Sequence, residues 1–168
     1  MFARDSDYET LEDLAGATWA YPDATSTSGF LFPSAVFADQ GITVGESFEA
    51  GGHSAVAKAV YNGEADFGTT YFSPPLLPEG RWAIGDDPEP FLDILDTCSE
   101  NEDGKMYCEG YRVLDARTTI STDAPDVIQK VGIVALTAEI PNDTMSFAPD
   151  FPDALKAAII EGIGEYIG

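Results

Sequence analysis

Between residues 18 and 71 the hydrophobic period of the sequence alternates, and this alternation constrains the fold more than any other feature. A short strand at about residues 18–21 precedes "FLFPSAVFADQG", which is apolar at helical spacing and stops at Gly41. A second strand is expected over residues 46–49, followed by a helix in "GGHSAVAKAVYNG". That helix places Ala55, Val56, Ala59 and Val60 on one apolar face and ends at Asn62 and Gly63. "ADFGTTY" then reads as a buried strand. Strand, helix, strand, helix, strand is the order of a doubly wound α/β unit. Pro33 lies inside the first helical run, so an irregular first turn is expected before the main helix.

The flanking segments are less regular. Residues 1–10 read as a lead-in or linker, and residues 11–142 as the main lobe. A proline-rich stretch at about 74–110 interrupts the rhythm and reads as an inserted loop. "YRVLDARTT" and "VGIVALTAEI" are expected strands, with a short helix near "APDVIQ". Residues 143–168 are expected to hold a return strand at 144–148 and a last helix. Asp150 or Asp153 would cap that helix, and Leu155, Ile159 and Ile160 lie on its apolar face.

With 168 residues, 44% of them hydrophobic, the chain is long enough and apolar enough for one domain with a real core. Its net charge of −22, with four lysines and four arginines, disfavours nucleic acid and anionic membranes as partners, because both require basic patches. A solvated acidic surface is the plain reading of that charge, and a salt-rich habitat is a second one. No apolar run approaches a membrane span, so no membrane insertion by this chain is expected. No basic-then-apolar start marks an export signal, so a signal peptide or lipid anchor is not expected within this sequence. Cys98 and Cys108 flank the polar segment "SENEDGKMY", whose ends can meet in a disulfide. The alternative, a metal site, lacks further Cys or His ligands nearby. A disulfide implies an oxidising compartment.

The most distinctive short stretch is "DATSTSGFLFP" at residues 23–33. Ser26, Thr27 and Ser28 stand where a helix begins, beside amides that have no partner inside it. Those amides carry partial positive charge and suit a tetrahedral oxyanion, the hydroxyls add donors, and Gly29 permits close approach. Such a cradle needs no Lys or Arg. A simple helix N-cap accounts for the same residues without a ligand.

Three stretches resemble one family in order along the chain: "DLAGATWAYPDATSTSGFLFP", "GGHSAVAKAVYNGEADFGTTY" and "EIPNDTMSFAPDFPDALKAAI". They look like the phosphonate-, phosphite- and phosphate-binding proteins of ABC importers. The resemblance implies a three-layer αβα lobe of the type 2 periplasmic binding protein fold. It further implies a periplasmic or extracellular solute-binding role without cofactor or catalysis. Ser26, Thr27 and Ser28 match the oxyanion cradle, and His53 matches a histidine facing the ligand. Asp143 matches an acid that accepts a hydrogen bond from a protonated ligand oxygen, which fully ionised sulfate lacks. Tyr71 and Ser73 lie where further contacts are delivered. An acid frequent near that last position is Ser73 here, a departure that bears on selectivity for amine-bearing phosphonates. The matching stretches begin about where the second lobe of such proteins begins. A single lobe is therefore expected, with a first lobe or the transporter permease as partner, and the cysteine-bearing insertion falls outside the family pattern.

On their own, His53 reads equally as a core or helix-end residue and Asp143 as a turn residue. Two other functions use the same residues. A hydrolase triad of Ser28, His53 and Asp143 lacks the glycine two places before a nucleophile-elbow serine. An interaction module would keep the fold and lose transport.

Overall fold

The computed structural model describes residues 1–3, 8–140 and 146–167, the last three of them by backbone only. The described chain falls into two compact units, Met1–Ala138 and Glu139–Gly168.

The first unit is built on a five-stranded sheet. Its strands are β1 (Phe2–Ala3), β2 (Trp19–Tyr21), β3 (Ser47–Glu49), β4 (Phe67–Gly68) and β8 (Gly132–Ile133), in the order β3-β2-β4-β1-β8. β2 pairs in parallel with β3 and β4, whereas β1 is antiparallel to β4 and β8. Strand alternation divides the core between the two faces of the sheet. Trp19, Phe67 and Ala3 pack with Phe37 of α1 (Phe32–Gln40) on one face. Ala20 and Phe2 pack with Val56, Ala57, Ala59 and Val60 of α2 (His53–Asn62) on the other. The result is an α/β arrangement of the doubly wound order expected from the alternating period, with helices on both faces of the sheet, in keeping with the three-layer lobe that the resemblance implies. Both helices end as anticipated, at Gly41 and Gly63, each in the left-handed conformation. The stretch "NGEADFG" has a local physical basis. Asp66 accepts the N–H of Thr18 at 2.7 Å and so ties the start of β2 to β4. A Cβ on Gly68 would lie 2.4 Å from Val56 Cγ1, so glycine lets α2 press on the sheet.

Two expectations need correction. Residues 1–10 are not a loose lead-in throughout, because Phe2 and Ala3 are buried and form a strand inside the sheet. Burial of the Phe2 side chain against the α2 face drives this, and a strand of two residues leaves no periodic signal to read. The segment at 74–110 is more than a loop. It contains a 3-10 helix at Leu92–Thr97, β5 (Ser99–Glu100) and β6 (Met106–Cys108). With β7 (Tyr111–Arg112), β5 and β6 form a three-stranded antiparallel sheet, and Cys98 and Cys108 are joined in a disulfide. "YRVLDARTT" is a strand only over Tyr111–Arg112. Asp115 then caps a 3-10 turn over Ala116–Ile120 by accepting the N–H of Arg117. "APDVIQ" supplies the short helix α3 (Val127–Lys130).

In the second unit, α4 spans Asp153–Ile167, and Lys156 pairs with Asp153 at 3.2 Å. Leu155, Ile159 and Ile160 are exposed. Of the expected return strand, residues 144 and 145 lie outside the described residues, and residues 146–148 carry no strand.

Candidate functional site

β2, β3 and β4 run parallel, so their C-terminal ends share one edge of the sheet. Because β2 lies between β3 and β4, the chain first crosses to one side of it and then to the other. A crevice opens at such a reversal, outside the carboxyl ends of the strands. Backbone bonds continue past the strands and hold the loops together there. Ala50 N–H meets the Tyr21 carbonyl at 2.8 Å, Gly51 N–H meets Pro22 at 3.0 Å, and Thr69 N–H meets Ala20 at 3.2 Å. Three segments distant in sequence therefore converge: the hydroxyl turn, the start of α2, and the residues after β4.

The hydroxyl turn is a wide helical turn at Thr27–Leu31 that leads into α1. Ser26 is its cap, with Oγ accepting Gly29 N–H at 3.1 Å while its carbonyl accepts the N–H groups of Phe30 and Leu31. Pro33 is the second residue of α1 and brings no N–H, which accounts for the irregular first turn. Phe30 anchors the turn by stacking on Trp19 at 5.4 Å and meeting Tyr21 at 4.6 Å. Gly29 is buried, and a Cβ there would lie 2.2 Å from Pro22 Cγ and 2.9 Å from Ser26 Oγ. The glycine is thus required by close packing on Pro22, a reason distinct from approach to a ligand. Among the described residues, the N–H groups of Thr27 and Ser28 donate to no recorded acceptor, and no ion pair touches the turn. Asp23 stands just before it, its Oδ1 accepting the Thr25 N–H at 2.9 Å and the Thr25 hydroxyl at 2.5 Å. Those bonds hold its carboxyl below the ordinary range.

His53 is the first residue of α2, delivered by Gly51 at φ 90° and Gly52 at φ 152°, a backbone that side-chain-bearing residues avoid. Its Nδ1 is buried and has no hydrogen-bond partner. The ring meets Tyr71 edge-on at 5.0 Å. Burial holds the imidazole below its ordinary pKa, with the charge of Asp23 pulling the other way. Burial, then the charge of Asp115, raises the Tyr71 phenol. A neutral imidazole at a helix N-terminus and, at the same sheet edge, the free amides and hydroxyls of the turn are a set of donors without a permanent cation. This chemistry suits an oxyanion.

The structure thus places Ser26, Thr27, Ser28 and Gly29 in one turn and His53 against Tyr71, both at the same sheet edge. Ser73 is half-buried farther along the same exit. Asp143 lies outside the described residues. No hydrogen bond joins Ser28 to His53 among the described residues, as a nucleophile and its base would require. No group of three or more His, Cys, Asp or Glu among them is placed to hold a metal. Sequence reasoning missed Thr69, which binds the turn through the Gly29 carbonyl, and Trp19, which binds Thr69 at 2.8 Å. Hydroxyl residues directly after "DFG" were the available signal, but only the fold aims one of them at Gly29.

The family described as ABC transporter, phosphonate, periplasmic substrate-binding protein matches residues 2–166 of this chain. The phosphate-import protein PhnD of Mycolicibacterium smegmatis is 33% identical over 79 residues, covering 41% of this chain and 25% of that protein. The match thus spans about a quarter of the length of that curated relative. Among the described residues, no helix is long and apolar enough to cross a membrane. Order along the chain, sheet topology and the matched span agree: the chain belongs to the periplasmic substrate-binding proteins of phosphonate ABC transporters.

Proposed function

We propose that this chain is one lobe of an importer's binding protein and holds a small phosphorus oxyanion, phosphonate, phosphite or phosphate, at the crevice beyond β2, β3 and β4. The carrying observation is the buried, partnerless Nδ1 of His53 at the same sheet edge as the unpaired amides of Thr27 and Ser28. A buried polar atom without a partner costs free energy, and a ligand oxygen at this place relieves that cost. Ser26 is occupied as the cap, so Thr27 and Ser28 supply the free hydroxyls. Tyr71 orients the imidazole, and Asp143 selects ligands that keep a proton. The full site is completed by a first lobe, and transport by a permease. The disulfide supports an oxidising, periplasmic or extracellular location.

Isothermal titration with phosphite, phosphate, methylphosphonate and sulfate tests this reading. Weak binding of the three phosphorus anions and none of sulfate is expected, because one lobe encloses only part of a ligand. Ser28→Asp abolishes binding by setting a charge against the anion, and Asp143→Asn admits sulfate. Unchanged binding in Ser28→Asp places the ligand elsewhere.

A further inference from the structure

One backbone group of the hydroxyl turn is bound from outside the turn. An α-helical register would pair the Gly29 carbonyl with the N–H of residue 33, which is proline and has none. Gly29 is buried, so solvent is a poor substitute. The replacement donor comes from the exit of β4, where the Thr69 hydroxyl donates to the Gly29 carbonyl.

The direction of this bond is set by a second one. Trp19 Nε1–H lies 2.8 Å from Thr69 Oγ1, and an indole N–H only donates. Thr69 oxygen is therefore the acceptor from Trp19, and its single proton is committed to Gly29. Thr69 is 1% exposed, so water does not compete for that proton. Trp19 is itself immobilised, stacked with Phe30 and Phe67 at 5.4 and 6.3 Å and met edge-on by Phe37 at 5.3 Å. The relay Trp19–Thr69–Gly29 runs from the core to the turn that carries Ser26, Thr27 and Ser28.

We propose that Thr69 is a positioning residue for the oxyanion turn. Its proton holds the Gly29 carbonyl toward the sheet, which fixes the axis of the turn and keeps the amides of Thr27 and Ser28 at the crevice. The functional meaning of this placement rests on the ligand reading above; the placement itself does not.

The test compares Thr69→Val, which is nearly isosteric and removes the hydroxyl, with Thr69→Ser, which keeps it. Thr69→Ala serves as a second hydroxyl-free variant should valine not be accommodated. Amide and indole resonances are recorded by 15N–1H NMR, without ligand and with phosphite. Without ligand, the hydroxyl-free variants shift the amides of Thr27, Ser28 and Phe30 and the indole resonance of Trp19, while Thr69→Ser leaves them near wild-type positions. Phosphite affinity falls about tenfold in Thr69→Val, the ratio set by the net contribution of a hydrogen bond, and returns in Thr69→Ser. Unmoved turn resonances in the hydroxyl-free variants, or a serine variant that behaves like valine, overturns the proposal. If the wild type binds no phosphite, phosphate or methylphosphonate while the turn resonances move as expected, the ligand reading fails and the positioning role stands.

Discussion

Arg117 is fully buried and charged, and its replacement by methionine is expected to destabilise the fold severely. Its Nε and Nη2 meet Asp115 at 2.9 and 2.8 Å, and its Nη1 meets the Glu89 carboxylate and the Val131 carbonyl. The guanidinium also sits 5.2 Å above the Phe2 ring of β1. Burial acts first to lower its pKa, but Asp115 and then Glu89 more than reverse this, so it remains a cation. Glu89 in turn accepts the N–H of Ile133 at 2.7 Å. One side chain thus joins the insertion, the 3-10 turn after β7, β1 and the edge strand β8. Removing it leaves two buried carboxylates facing each other, each keeping one backbone N–H. Breaking such a cluster from one side costs about 3–5 kcal/mol. At a urea slope of about 2 kcal/mol per molar, the unfolding midpoint falls by about 2 M. The variant Arg117→Met/Asp115→Asn/Glu89→Gln removes both stranded charges and is expected to recover about half of the loss. A loss under about 1 kcal/mol in Arg117→Met refutes the buried-charge reasoning. A triple variant as unstable as the single one assigns the cost to packing instead.

Gly29→Ala forces a Cβ to within 2.4 Å of both Pro22 Cγ and Cδ, so the turn must shift. A loss of about 1–3 kcal/mol in thermal or urea unfolding is expected, together with weaker phosphite binding, and a neutral effect on both contradicts the close approach. The disulfide closes a loop with a sequence separation of 10, and chain entropy sets its contribution at about 3 kcal/mol. Urea unfolding with and without reductant, checked against Cys98→Ser/Cys108→Ser, reads that contribution directly; coincident curves remove it. Burial depresses the pKa of His53 in the folded state, so the unfolded chain takes up the proton first as pH falls. The stability from neutral His53 is full above the ordinary value of 6.5 and is lost as pH falls toward the lower folded value. His53→Asn flattens that part of the stability–pH curve, and a wild type that gains stability relative to the variant on acidification reverses the assigned direction.

The elements legible in the sequence were those whose signal is local. Gly41 and Gly63 mark helix ends wherever the helices pack, and the apolar face of α2 repeats at helical spacing. Pro33 announced an irregular turn because a missing N–H acts on its own neighbours. The candidate turn and His53 were legible through short motifs shared with a family. The reason for Gly29 was not, because Pro22 reaches it only once the loop is folded. β1 was missed because two residues hold no period, and their burial depends on β4 and β8. The insertion was read as a loop because its strands are two or three residues long, and their pairing with each other and with β7 arises only in the folded chain.

From the sequence alone came the alternation of strand and helix, the place of the hydroxyl residues at a helix start, and a heavy negative charge that disfavours polyanionic partners. These follow from properties that neighbouring residues express without distant help: period, capping and composition. Tertiary structure alone decided that Gly29 rests on Pro22 and that its carbonyl accepts the Thr69 hydroxyl, that His53 meets Tyr71, and that Arg117 pairs with buried carboxylates from separate segments. Each of these depends on contacts between residues far apart in the chain, and the sheet order that brings them together is not written in any local pattern.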